Sequence, residues 1–176
     1  MRLALALLLT SAVPLAPVAL PAMAQTAPGE VQDAALLAFL DAAFDERVGL
    51  LPEMQTRLGF KTDYDRLGDY TDAAAVRDQA LAERQLQEMR ARFRPEQLSE
   101  RARVSFRLFE DDVERRRASF AFRKLRFPVT TNGSPAGAIP VLLINNHRID
   151  TVADAEAYVA RLRDTDRVMR EVAATM

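Results

Sequence analysis

Four stretches in which apolar residues recur at intervals of three and four run through this chain, and that spacing is the period of helices buried along one side. Between Glu30 and Val48 the set is Leu36, Leu37, Phe39, Leu40, Ala43, Phe44 and Val48, with Gly49 placed to stop the helix. A second helix is expected from an N-cap at Thr71 to about Arg92, ending before Pro95. Its stripe is Ala75, Ala82, Leu86, Met89 and Phe93. Ser99 is the N-cap candidate of a third, whose buried face is expected to hold Ala102, Phe106, Phe109, Val113 and Phe120. The last opens on Thr151-Val152-Ala153-Asp154, a capping-box-like start, and its expected buried side is Val152, Ala155, Val159, Leu162 and Val168. A shorter helix fits between Pro52, suited to a first turn, and Gly59, suited to an exit.

From Phe127 to Asp150 the character changes. Pro128, Gly133, Pro135, Gly137 and Pro140 cluster there with Thr and Asn, as in a long connection. Inside it Ile139 to Ile144 is an apolar run too short for periodicity to separate strand from helix. A helix with Pro140 in its first turn is the expectation. The fold class is therefore read as all-α: an array of four long helices plus short ones, with a loop-rich segment at about 127–150.

The first 24 residues stand apart. Arg2 is their only charge, Leu3 to Leu9 is unbroken and apolar, and Ala22-Met23-Ala24 precedes Gln25, the pattern of a secretory signal peptide cleaved between Ala24 and Gln25. An uncleaved anchor would need about 20 apolar residues in helix. Here Pro14, Pro17 and Pro21 interrupt the run. The expectation is a signal peptide at 1–24 and one helical domain at 25–176, periplasmic or secreted and not membrane-bound after cleavage.

The 176 residues include no cysteine and one histidine, His147. A disulfide framework, a thiolate zinc site and a thiol nucleophile are thereby excluded, and a site needing two imidazoles cannot be built from one copy of the chain. The formal net charge of −1 argues against a whole-protein grip on nucleic acid. The run Glu110-Asp111-Asp112-Glu114 beside Arg115-Arg116-Arg117 reads as a solvated face, because neighbouring helical carboxylates point about 100° apart. Asp111 with Arg115, and Asp112 with Arg116, have the favourable four-residue spacing. The basic residues from Arg115 to Arg126 interleave with Phe120, Phe122 and Phe127, but the phenylalanines suit a core face better than a stacking platform. Asp63, Asp65 and Asp69 around Gly68 lack the order of a calcium loop and read as a turn. Asn132-Gly133-Ser134 matches a glycosylation acceptor, but Pro135 favours a turn. His147 sits in Asn145-Asn146-His147-Arg148 beside Asp150, where an acid, base or ligand role competes with the favoured one of anchoring a loop.

One resemblance joins these pieces. The series comprises Leu98-Ser99-Glu100-Arg101, Phe127-Pro128-Val129-Thr130, Ile139-Pro140-Val141-Leu142-Leu143, His147-Arg148-Ile149-Asp150-Thr151 and Ala153-Asp154-Ala155-Glu156-Ala157-Tyr158-Val159-Ala160-Arg161-Leu162. It resembles the amino-terminal region of the bacterial family known as domain of unknown function 885. Pro52-Glu53 ahead of Leu58-Gly59 is also similar, and the likeness covers most of residues 30–176. It implies an exported, largely helical protein of several hundred residues, similar to zinc metallopeptidases. The implied metal site is an HExxH helix well downstream, where two histidines hold zinc and the glutamate activates water.

This chain has no HExxH, so no catalytic or metal residue is carried over, and no cofactor is expected here. The zinc belongs to the region implied downstream. His147 and Arg148 match a family position and are expected to line a cleft of the full-length protein. The expected function is the amino-terminal helical portion of an exported metallopeptidase-like protein, non-catalytic alone. Its expected partner is the missing C-terminal portion or a peptide or protein ligand, with self-association through uncovered apolar stripes. The alternative is a freestanding periplasmic helical module that binds a peptide or protein.

Overall fold

A computed structural model describes residues 28–125, 127–131 and 133–176. The segment 1–24, the expected cleavage point at Ala24 and Gln25, and Asn132 lie outside the described residues. The helices are α1 (Pro28–Val48), α2 (Pro52–Arg57), α3 (Asp72–Arg92), α4 (Glu100–Phe120), α5 (Pro135–Asn145) and α6 (Val152–Ala174), with short 3-10 turns at Pro95–Gln97 and Arg123–Leu125. Among the described residues β structure is limited to one bridge between Thr130 and Gly133. The fold is all-α, and α1, α3, α4 and α6 are the four long helices expected.

Hydroxyl side chains set four of the starts. Thr71, Ser99, Ser134 and Thr151 each accept a hydrogen bond from the backbone N–H three residues on, at 3.2 Å. A helix leaves those first N–H groups without internal partners, and a cap supplies one. At Thr151 the Asp154 carboxylate also accepts from the Thr151 N–H at 2.9 Å, completing the reciprocal box. The end of α2 is equally local. Gly59 adopts φ +85°, and the N–H groups of Gly59 and Phe60 return to the carbonyls of Thr56 and Gln55. That pair of bonds is a Schellman stop, whose left-handed residue favours glycine.

The stretch 127–150 is less loop-like than its composition. Ser134 caps and Pro135 opens α5, so Pro140 lies inside the second turn and not in the first. An interior proline costs a helix about 3 kcal/mol. Burial of Ile139, Leu142 and Leu143 on the other face offsets that cost.

Two apolar cores result. The larger joins α1, α3 and α4 through Leu36, Phe39, Leu86, Met89, Phe106 and Val113, with Phe39 edge-on to Phe93 at 5.8 Å. Its stripes follow the sequence reading, except that Leu37, Phe44 and Ala75 face solvent and Phe109 and Phe120 are half-buried. Phe122 and Phe127 are exposed, so they do not join a core as their spacing suggested. The charged face of α4 is tied mainly to α3. Arg90 reaches Glu110 and Glu114, and Arg117 pairs with Glu83. Asp112 takes Arg116 at 2.7 Å, and Arg115 approaches Asp112 where Asp111 was expected.

The smaller core joins Leu67, Ile139, Leu143, Val168 and Val172. Here the phase of α6 departs from expectation. Val168 is buried as expected and Ala155 half-buried, but Val152, Val159 and Leu162 are exposed, and the rest of the buried face carries Asp154, Ala157, Arg161 and Val172. Two charged residues occupy inward positions, so an inventory of apolar letters points to the wrong side. No helix among the described residues is long and apolar enough to cross a membrane.

Candidate functional site

Polar chemistry concentrates on the seam between the two cores, where the segment 58–71 passes beneath the start of α6. Arg161 is fully buried. Its Nε donates to the Arg66 carbonyl at 2.9 Å, its Nη2 to those of Pro52 and Asp63, and its Nη1 faces His147 Nδ1 at 3.2 Å. Among the described residues no carboxylate lies within ion-pair distance, so carbonyl dipoles and the Tyr64 ring, 5.1 Å away, take the place of a counter-ion. Burial pulls the guanidinium below its ordinary value, yet an arginine stays charged in a protein.

That cation fixes the tautomer of His147. An arginine N–H can only donate, so Nδ1 must accept, and Nε2 carries the proton that it gives to the Asp154 carbonyl at 3.0 Å. The ring stacks on Tyr64 at 3.9 Å and meets Tyr158 edge-on at 5.3 Å. Burial, with the Arg161 charge beside it, holds His147 below its ordinary 6.5. Tyr64 completes the clasp: its hydroxyl accepts from the Arg148 N–H at 2.7 Å and donates to the Arg148 carbonyl at 3.1 Å.

Asp154 closes the outer side. One oxygen, Oδ2, accepts from Lys61 Nζ at 2.8 Å and from the N–H groups of Asp150 and Thr151. The Lys61 ammonium and those donors keep the carboxyl well below the usual carboxylate range. Asp150 shares Lys61 at 3.0 Å, and the two carboxylates raise the lysine in turn.

His147 is therefore buried at 6 % exposure with both ring nitrogens engaged, whereas the Arg148 side chain points outward and reaches Asp150 at 3.4 Å. The two expected site residues are adjacent in sequence and opposite in environment. Lys61, Tyr64, Asp154 and Arg161 were not anticipated. The signal for two of them was available, since Asp154, Arg161 and Val168 are spaced by sevens and so share one helix face.

The protonation chemistry sets a pH dependence. Folded His147 binds its proton less readily than the unfolded chain, so between about 6.5 and the lower folded value the unfolded state holds more protons. Stability from this group is full above 6.5 and is lost as pH falls through that window. Lys61, Arg161 and the Asp154 carboxylate, the charged groups nearest the ring, do not change charge there. Urea midpoints measured from pH 7.5 to 5 should fall, and His147→Gln should flatten the slope.

Two cavities flank the seam. One of about 480 Å³ lies between α2, the start of α3 and α5, walled by Leu51, Met54, Ala74, Ala138 and Leu142 and bearing Glu53, Arg57 and Arg77. The other, about 930 Å³ and more open, lies against α6 with Arg66, Arg163 and Arg167. Gly68, Asp69 and Thr71 border both. Neither is lined by His147 or Arg148. Between them the extended backbone is held by carboxylates: the N–H groups of Leu67, Gly68 and Tyr70 donate to Asp164, Glu53 and Glu171. Arg167 donates to the carbonyls of Leu67 and Gly68. Two carboxylates of the Asp63-Asp65-Asp69 turn are spent on similar contacts, Asp63 holding Gln55 and Arg66, and Asp69 holding Thr71 and Arg77. No group of three metal-ligating side chains comes together among the described residues.

No curated protein and no solved structure matches this chain. A family model described as a bacterial protein of unknown function does match, over residues 52–176, a stretch that holds the whole seam. The chain accordingly belongs to the DUF885 family of bacterial proteins.

Proposed function

We propose that this chain is the amino-terminal helical portion of an exported, zinc-metallopeptidase-like protein and is non-catalytic by itself. The observation that carries the reading is the state of His147. An HExxH site needs two free imidazoles, and the single imidazole here donates through Nε2 and accepts through Nδ1. Its work is to hold the α5–α6 connection, and hydrolysis would fall to a segment encoded downstream. Exposed apolar residues support the same reading. Ile144 at 75 %, Val152 at 78 % and Leu162 at 51 % exposure offer surface for that segment to cover. Arg148 is the member of the expected pair that can face a cleft in the larger protein, with His147 fixing the loop behind it. The signal-like pattern at 1–24 supports export to the periplasm or beyond.

Reading the gene beyond codon 176 tests this directly. An in-frame segment with an HExxH helix is expected, and its product should bind zinc while the 176-residue chain alone binds none. The isolated chain should also self-associate in sedimentation. A stop codon with no such segment following would overturn the reading and leave a freestanding module that binds a peptide or protein.

A further inference from the structure

The cavity of about 480 Å³ holds an ion pair that does not close. Glu53 and Arg57 lie four residues apart on α2 with the acid first, the favourable order for a helix pair. The same arrangement closes at two other places, Asp112 with Arg116 at 2.7 Å and Asp166 with Arg170 at 2.6 Å, and stays open at Asp111 and Arg115. Glu53 is instead drawn away. Its Oε1 accepts from the Gly68 N–H at 2.9 Å and the Tyr70 hydroxyl at 3.2 Å. Gly68 permits the approach, because a Cβ there would stand 2.9 Å from Glu53 Oε2. That second oxygen has no protein donor among the described residues and is not sealed from solvent. Arg57 likewise has no carboxylate partner among them.

The other charges that line the cavity are already matched, Arg77 with Asp69 at 2.5 Å and Asp78 with Arg47 at 3.2 Å. One fixed acceptor and one unengaged guanidinium therefore remain, roughly one helical turn apart, beside walls made by Leu51, Met54 and Leu142. A simple anion would meet Glu53, and a simple cation would meet Arg57. A ligand carrying both charges satisfies both, and the apolar wall rewards a hydrocarbon side chain.

We propose that this cavity binds a free amino acid with an apolar side chain, its ammonium on Glu53, its carboxylate on Arg57 and its side chain against Met54 and Leu142. Such a site does not depend on a downstream metal segment. It would bind in the 176-residue chain whether or not the reading of the whole protein holds.

Equilibrium dialysis of radiolabelled L-leucine against the full chain is the test, with leucinamide and N-acetyl-leucine as competitors. Saturable binding of L-leucine is expected, with each blocked analogue competing at least about tenfold more weakly, since each loses one charge-assisted contact. Arg57→Met should weaken L-leucine by a similar factor, and the side chain of this exposed residue has no hydrogen-bond or ion-pair partner among the described residues. Glu53→Gln keeps an acceptor for Gly68 and Tyr70 while removing the charge, and should act alike. Absence of saturable binding, or blocked analogues that compete as well as L-leucine, would overturn the proposal.

Discussion

Replacing Arg161 by alanine is expected to cost on the order of 3 kcal/mol or more of folding stability, the largest effect of any single polar substitution in this chain. The change removes four hydrogen bonds at once and leaves three backbone carbonyls and the His147 Nδ1 facing a space too buried for easy hydration. The Pro52 carbonyl keeps the Thr56 hydroxyl and the Asp63 carbonyl keeps the Arg66 N–H, so the penalty comes from the Arg66 carbonyl and His147 Nδ1, from the charge removed from beside Glu53, and from lost volume. Arg161→Lys should recover only part of it, because one ammonium cannot span acceptors on Pro52, Asp63, Arg66 and His147 together. The neighbour provides the control. Leu162→Ala, at an exposed position, should fall within about 0.5 kcal/mol of the parent. Urea unfolding followed by far-UV circular dichroism reads both, and a loss below about 1 kcal/mol for Arg161→Ala would mean that water replaces the guanidinium freely.

Leu86→Ala is expected to lose about 2–5 kcal/mol, from the transfer of the removed carbons plus the cavity they leave. Leu86 is 1 % exposed in the larger core, where α3 packs against both α1 and α4. Because Arg161 belongs to the seam and the smaller core, the two substitutions share no partner, and their effects should add. A double variant whose loss departs from the sum by more than about 0.5 kcal/mol would show that the cores are mechanically coupled through the seam.

The helices of the larger core were legible because each layer of information agreed. Thr71 and Ser99 cap, Pro95 follows the end, and Leu86, Met89, Phe106 and Val113 repeat at helical spacing with apolar letters alone. Apolar spacing does not reveal the α6 face, because its inward positions include Asp154 and Arg161, and the burial of Arg161 depends on partners as much as 109 residues away in sequence. No local pattern announces that a charged side chain will find three distant carbonyls. α5 was only half legible, since Pro135, Gly137 and Pro140 read as breakers while Ser134, a single hydroxyl, supplies the cap that starts the helix. The anchoring role favoured for His147 could be weighed from composition, because a lone imidazole without a motif more often holds structure. Its partners could not, since Tyr64 and Arg161 meet the ring only in the folded chain.

The Arg161 contacts also have a kinetic meaning. Three of its four acceptors are separated from it by 95, 98 and 109 residues, so the seam forms only after a long loop has been closed against its own entropy. Helices and the α5–α6 hairpin need no such closure and can form early. The seam should be absent from the transition state, and Arg161→Ala should then act on the unfolding limb of the chevron, with a φ-value near zero. The clasp around His147 would thus work as a latch: it contributes little to how fast the chain finds its fold and much to how long the fold persists.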